Sequence, residues 1–176
     1  MDRNARVQLA LLRELAQLLG RARVRFWLRG GWALDFHAGR ITSDHGDIDL
    51  VARFGQRSRI RKLLEENGYR VVQLGELASI HFSKRGQDIG LAFIRTDQMA
   101  RTITPGREFW IWPDDAFSNR RHTLHGISCR AMSIASLLEE KESYERYSGR
   151  PLREKDFVSM KLLRSLLSPP KGARAG

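Results

Sequence analysis

Apolar residues recur at helical spacing near the start of the chain. Val7, Leu11, Leu15, Leu18 and Leu19 fall on one face, and the spacing predicts an amphipathic helix over residues 5–19. Arg and Glu are mixed into this segment, so it reads as neither a signal peptide nor a membrane span. The period then shortens. Residues 24–28 read as a strand, followed by Gly30-Gly31, a short helix to Ala38, a polar loop over 39–46 and an apolar strand over 48–52. A helix is predicted over 58–67, closed by Gly68. Strands follow at 69–74, 79–83 and 88–94, the last two joined by a hairpin turn at Lys84-Arg85-Gly86-Gln87. Short strands at 109–112 and 127–130 flank a polar loop. Helices at 133–147 and 152–167 are separated by Gly149-Arg150-Pro151, and Ser133 is placed to cap the first. The tail, 169–176, is predicted to be disordered, and no internal repeat is visible.

The chemistry gathers where the period changes. Asp47 and Asp49 stand at i and i+2 on a predicted strand, so their side chains share a face about 6.5–7 Å apart. Carboxylates so spaced converge on one or two cations, and hard oxygen donors favour Mg2+ or Mn2+. Ile48 then points into a core. Upstream, Gly30 and Gly31 let the backbone approach a ligand closely, and the free N–H groups of the following helix favour an anion such as a triphosphate. Asp88 opens a further apolar strand, Ile89 to Ile94. Placed beside the Asp47/Asp49 strand, it would complete the metal site or accept a proton from an attacking hydroxyl. Taken alone, an Asp-x-Asp pair is a polar strand edge and a Gly-Gly pair is a turn; their order and spacing are what point to nucleotidyl transfer.

These residues resemble the aminoglycoside 2''-nucleotidyltransferase and lincosamide nucleotidyltransferase family. The likeness runs through Trp27, Gly30, Gly31, Trp32, Asp35, Gly39, Arg40, His45, Asp47, Ile48, Asp49 and Leu50, and continues more loosely into the C-terminal helices. It implies the polymerase-beta-like nucleotidyltransferase fold, of class α+β, with a mixed sheet packed by helices. It also implies Asp47 and Asp49 as metal ligands and Asp88 as a third carboxylate, base or ligand. Leu137-Leu-Glu-Glu-Lys141 is similar to a family segment with a lysine in a helix, and Arg150-Pro-Leu-Arg-Glu-Lys-Asp156 resembles the family's Lys-Asp segment opening the last helix, in a register counted from Arg150-Pro151 or, preferred, from Lys155-Asp156. Lys141 and Lys155 would neutralise phosphate charge across the cleft or stand solvated on their helices. The implied reaction moves a nucleoside monophosphate, AMP from ATP or the equivalent from another NTP, to a hydroxyl of a small acceptor such as an aminoglycoside, a lincosamide or a related sugar. Many relatives carry a basic residue where this chain has Ser43, and those that modify aminoglycosides are usually acidic.

Composition bears on the acceptor. With 31 Lys and Arg against 20 Asp and Glu the net charge is +11, a surface that attracts anions and repels polycations at long range. Nucleic acid is therefore a second, less favoured partner, and a toxin-like enzyme acting on RNA or protein is the first alternative. A catalytically inactive nucleotide-binding module is the second, against which three intact aspartates argue. An acidic set, Asp114, Asp115, Glu139, Glu140, Glu142 and Glu145, would hold amines if it faced the cleft. His45 is expected to orient the metal loop, and Trp110 and Trp112 to pack or to stack on a substrate ring. The 176 residues suit one domain, divided into a core over 1–130 and a helical segment over 131–168. The single Cys129 excludes a disulfide framework, reads as a buried apolar residue and fits a reducing cytoplasm. A homodimer is one assembly open to it, and no membrane association is expected.

Overall fold

A computed structural model describes residues 2–75 and 77–168, Tyr147 by its backbone alone. The tail predicted to be disordered lies outside the described residues. In chain order the elements are α1 (Arg3–Arg21), β1 (Phe26–Arg29), α2 (Gly30–Ala38), β2 (Asp47–Arg53), α3 (Arg57–Glu66), β3 (Arg70–Gly75), β4 (Ser79–Lys84) and β5 (Gln87–Thr96). There follow β6 (Thr102–Thr104), β7 (Arg107–Trp112), β8 (Arg121–Leu124), β9 (Ile127–Arg130), α4 (Ile134–Glu142), α5 (Tyr144–Ser148) and α6 (Glu154–Leu167).

The main sheet has the order β1-β2-β5-β4-β3, and it is mixed. β2 runs parallel to β5, while the β1–β2, β4–β5 and β3–β4 pairs are antiparallel. β6 pairs with the end of β5, and β7 with β6, so this hairpin extends one end of the sheet. β8 and β9 form a separate ribbon. Alternation along β2 sorts the side chains: Ile48 and Leu50 are buried while Asp47 is exposed and Asp49 half-buried. Ile48 and Leu50 join Ile89, Leu91 and Phe93 of β5 in one core with Leu11, Leu12, Leu15 and Leu19 of α1. Burying each such aliphatic side chain contributes about 1.5–3 kcal/mol.

Several predicted elements are adjusted. α2 begins at Gly30, so the glycine pair forms its first turn rather than a loop before it. The helix predicted over 133–147 is two, because Ser143 turns its N–H back to the carbonyls of Glu139 and Lys141 and ends α4. Ser133 does cap α4, its hydroxyl accepting from the Ser136 N–H at 3.2 Å. β6 and β8 are additions; each is short and gains its order from a partner strand. Cys129 is buried, as expected, and burial pushes its thiol up to about 11. Among the described residues no helix is long and apolar enough to cross a membrane.

Candidate active site

The polar face of β2 forms the floor of a cleft of about 650 Å³. One end is walled by the start of α2 and the loop carrying Ser43 and His45. The other end is walled by Phe109, Trp110 and Trp112 of β7. Lys141 of α4, Lys155 and Asp156 of α6, and Arg153 just before α6 close the side.

Asp49 is held between two glycines. A Cβ added at Gly30 would lie 2.9 Å from Asp49 Oδ2, and one added at Gly90 would lie 2.7 Å from Oδ1. Gly30 also has φ +63°, a conformation glycine adopts without strain. So Gly30 is required both by its backbone and by the carboxylate beside it. Burial, reinforced by the neighbouring Asp47 charge, pushes the Asp49 carboxyl up to about 6, against the partial relief of Arg29. A divalent cation between Asp47 and Asp49 would remove that like-charge repulsion, and the donors are the hard oxygens Mg2+ prefers. Among the described residues no group of three or more His, Cys, Asp or Glu side chains is gathered to hold a metal. Asp47 and Asp49 are the carboxylates of the cleft floor that would hold such a cation.

Gly31 lines the cleft beside Gly30, and its missing side chain also makes room for a ring. A Cβ there would meet His45 Nδ1 at 2.3 Å. The His45 ring packs against α2 in the space that glycine leaves, with the Trp32 ring centroid 4.6 Å away. Its Nε2 lies 2.6 Å from Asp35 Oδ2, and the other Asp35 oxygen accepts from the Thr42 N–H at 3.0 Å and from its hydroxyl. Asp35 is fully buried. The His45 carbonyl accepts from Asn4 at 2.9 Å and Gln8 at 3.2 Å, both on α1. His45 therefore orients the loop that leads into Asp47.

The sequence-predicted lysines reach the cleft by different means. Lys141 Nζ donates to Asp156 Oδ1 at 2.8 Å, while Arg153 binds the other Asp156 oxygen at 2.9 Å. Asp156 is buried, and these bonds, together with the Arg153 N–H, outweigh burial and hold its carboxyl far below the usual range. Lys155 lines the cleft and is exposed. Of the acidic set only Glu140 lines the cleft, and it is engaged by Arg29 through two contacts, at 3.0 and 2.5 Å. Glu142 is paired with Arg164, Glu145 accepts from the Leu152 N–H, and Asp114 and Asp115 are exposed on a turn outside the cleft lining. An acidic amine-binding wall is not formed by these residues.

Asp88 is brought beside the pair but not into it. It is the register partner of Asp47, exposed, and outside the cleft lining; the residue opposite Asp49 is Gly90. The parts played by Arg29, Glu140, Asp35 and Arg153 were missed by sequence reasoning. Asp35 alone left a signal, as an acidic residue in the apolar run Trp32 to Phe36.

Asp-x-Asp on a cleft-floor strand, next to a helix opened by glycines, agrees with the comparison to known proteins. Residues 11–163 match the model of the aminoglycoside-2''-adenylyltransferases. The chain belongs to this family. A 2''-aminoglycoside nucleotidyltransferase of Escherichia coli is 32% identical over 66 residues, which are 38% of this chain and 37% of that protein. This chain thus matches little more than a third of that relative's length. A lincosamide resistance protein of Staphylococcus haemolyticus is 23% identical over 155 residues, 86% of this chain and 91% of its own. Among solved structures, ANT(2'')-Ia in complex with adenylyl-2''-tobramycin superimposes with a TM-score of 0.78 at 18% identity, covering 92% of this chain and 90% of that one. The lincomycin-bound lincosamide antibiotic adenylyltransferase LnuA gives 0.71 at 20% identity, over 87% and 94%. At these identities the likeness is one of fold, the polymerase-beta-like nucleotidyltransferase fold.

Proposed function

We propose that the chain is a Mg2+-dependent adenylyltransferase that moves AMP from ATP to a hydroxyl of a small acceptor of the antibiotic or natural-product kind. The observation that carries this reading is the placement of Asp47 and Asp49 on one strand face at the cleft floor, beside the N-terminus of α2. Asp47 and Asp49 would hold the metal, which when bound would supply charge stabilisation for the transferring phosphoryl group and the leaving pyrophosphate. The first turn of α2, with Gly30, offers N–H groups to the triphosphate. Lys155 gives it a cation, and Lys141 acts through Asp156 to fix the wall of α4 and α6. The β7 aromatics then mark the acceptor end.

Between acceptor classes, one observation favours the less charged. Glu140, the single member of the acidic set that lines the cleft, is already paired with Arg29. A lincosamide-like acceptor, with few amines and an apolar body for Phe109 and Trp110, suits this better than a polycationic aminoglycoside. Incubation with each NTP, Mg2+ and a panel including lincomycin, tobramycin and RNA, read by mass spectrometry, tests both points. An acceptor gaining one AMP supports the reading. Label appearing on RNA alone would replace it with a nucleic-acid enzyme, and no label with any acceptor would leave a nucleotide-binding module.

Asp88 has a smaller part in this reading, as negative charge at the rim beside Asp47. Asp88→Asn is therefore expected to lower turnover by less than about tenfold, far below the effect of losing a group at the reacting centre. A loss of about a hundredfold or more in a folded variant would return Asp88 to the centre.

A further inference from the structure

One transverse row of residues crosses the cleft floor, and it has a gap. Arg29 of β1 is the register partner of Asp49 of β2, Asp49 of Gly90 of β5, and Gly90 of His81 of β4. Register partners project from the same face, and all four residues line the cleft. A Cβ at Gly90 would stand 2.7 Å from Asp49 Oδ1 and 3.8 Å from His81 Cε1. Because the residue is glycine, the Asp49 carboxylate can lean over its Cα, and the His81 imidazole borders the same position. They are not hydrogen-bonded to each other.

His81 is otherwise uncommitted. It is exposed in the cleft, and its ring nitrogens have no hydrogen-bond partner among the described residues. The other histidine of the cleft, His45, is bound to Asp35. The carboxylates have other tasks. Asp47 and Asp49 are assigned to the metal in the reading above, Glu140 is held by Arg29, and Asp156 by Lys141 and Arg153. Asp44 belongs to the His45 loop, at the phosphate end. Asp88 lies one row further from β7, while the cleft continues past His81 toward β7 through Ser79, Ala92 and Ile94. His81 thus stands level with Asp49 across the cleft floor, with the acceptor end further along the same strands.

We propose that His81 is a catalytic residue of this site, receiving the proton of the acceptor hydroxyl above Gly90. This rests on the nucleotidyl-transfer reading. As the acceptor oxygen bonds to the α-phosphorus, its O–H bond breaks and the proton passes to the imidazole lone pair. The bond from the α-phosphorus to the bridging oxygen breaks, and pyrophosphate leaves with that electron pair. The imidazolium then returns its proton to water.

Two measurements test this. In the first, the imidazole carbon-bound proton resonances are followed by NMR at constant pH while α,β-methylene-ATP and Mg2+ are added, with His81→Gln assigning the His81 signal. The signals of both His45 and His81 are expected to move. Movement of His45 without His81 would overturn the assignment of His81 alone. No movement in any of the five histidines would overturn the nucleotide site itself, and this proposal with it. In the second, His81→Ala and His81→Gln are assayed with the acceptor found above. The expected result is a fall in kcat of about 10²–10⁴-fold, with little change in KM for ATP and partial rescue of His81→Ala by excess imidazole. Turnover within about threefold of the parent, or a loss that imidazole does not restore, would overturn it.

Discussion

Asp49→Asn will make the metal-free protein more stable at neutral pH and nearly inactive. The two effects have one cause. Partial burial and the neighbouring Asp47 charge push the folded carboxyl up to about 6, while in the unfolded chain it keeps the ordinary value of about 3.9. Between those values the folded state binds the proton more tightly, so stability falls as pH rises from about 4 to about 6 and stays low above it. That difference in proton affinity is equivalent to about 3 kcal/mol, and losing the attraction of Arg29 reduces what asparagine recovers to about 1–3 kcal/mol. The same substitution removes a charge from the proposed metal site and should cut Mg2+-dependent turnover at least ~10²–10³-fold. Thermal unfolding in EDTA from pH 4 to 8 checks the first effect, and AMP transfer checks the second. If parent and variant melt alike across that range, burial does not strain this carboxylate. If a folded variant turns over at the parent rate, Asp49 is not in the mechanism.

That cost to the metal-free fold is written in a pattern the sequence shows openly. Alternation of Asp47, Ile48, Asp49 and Leu50 on a strand already implies two acids on one face and a core on the other, and the structure places them so. Gly30 was legible for the same local reason. What was not legible depends on register and on helix packing. Parallel pairing of β2 with β5 has no turn to set its register, so nothing local says whether Asp88 or Gly90 stands opposite Asp49. The answer, Gly90, also decides that His81 can reach the row. Lys141 and Asp156 meet only because α4 packs on α6, so each read as a lone charge or a family position. The contact of Gly31 with the His45 ring was not legible, because that ring comes from a loop fourteen residues later whose path is set by tertiary contacts.

The largest stability effect is expected at that loop. Asp35→Ala removes the buried carboxylate that holds Thr42 and His45, leaving their donors without a partner in a closed site. Breaking such a buried, hydrogen-bonded pair costs about 3–5 kcal/mol. Gly31→Val reaches the same ring from the opposite side. Its Cβ has no room beside His45 Nδ1, so the imidazole must leave its place, at an overpacking cost of about 1–3 kcal/mol. Both variants should weaken ATP binding, because the displaced loop leads directly into Asp47. If the His45 anchor is the shared element, the second substitution has less to disrupt. The double variant should then be more stable than the sum of the two losses predicts, by about 1 kcal/mol or more. Urea unfolding of the parent, the two single variants and the double variant measures this coupling. Strict additivity would mean that Gly31 and Asp35 act on the fold separately, and that His45 is not the piece joining the phosphate end of the cleft to the metal strand.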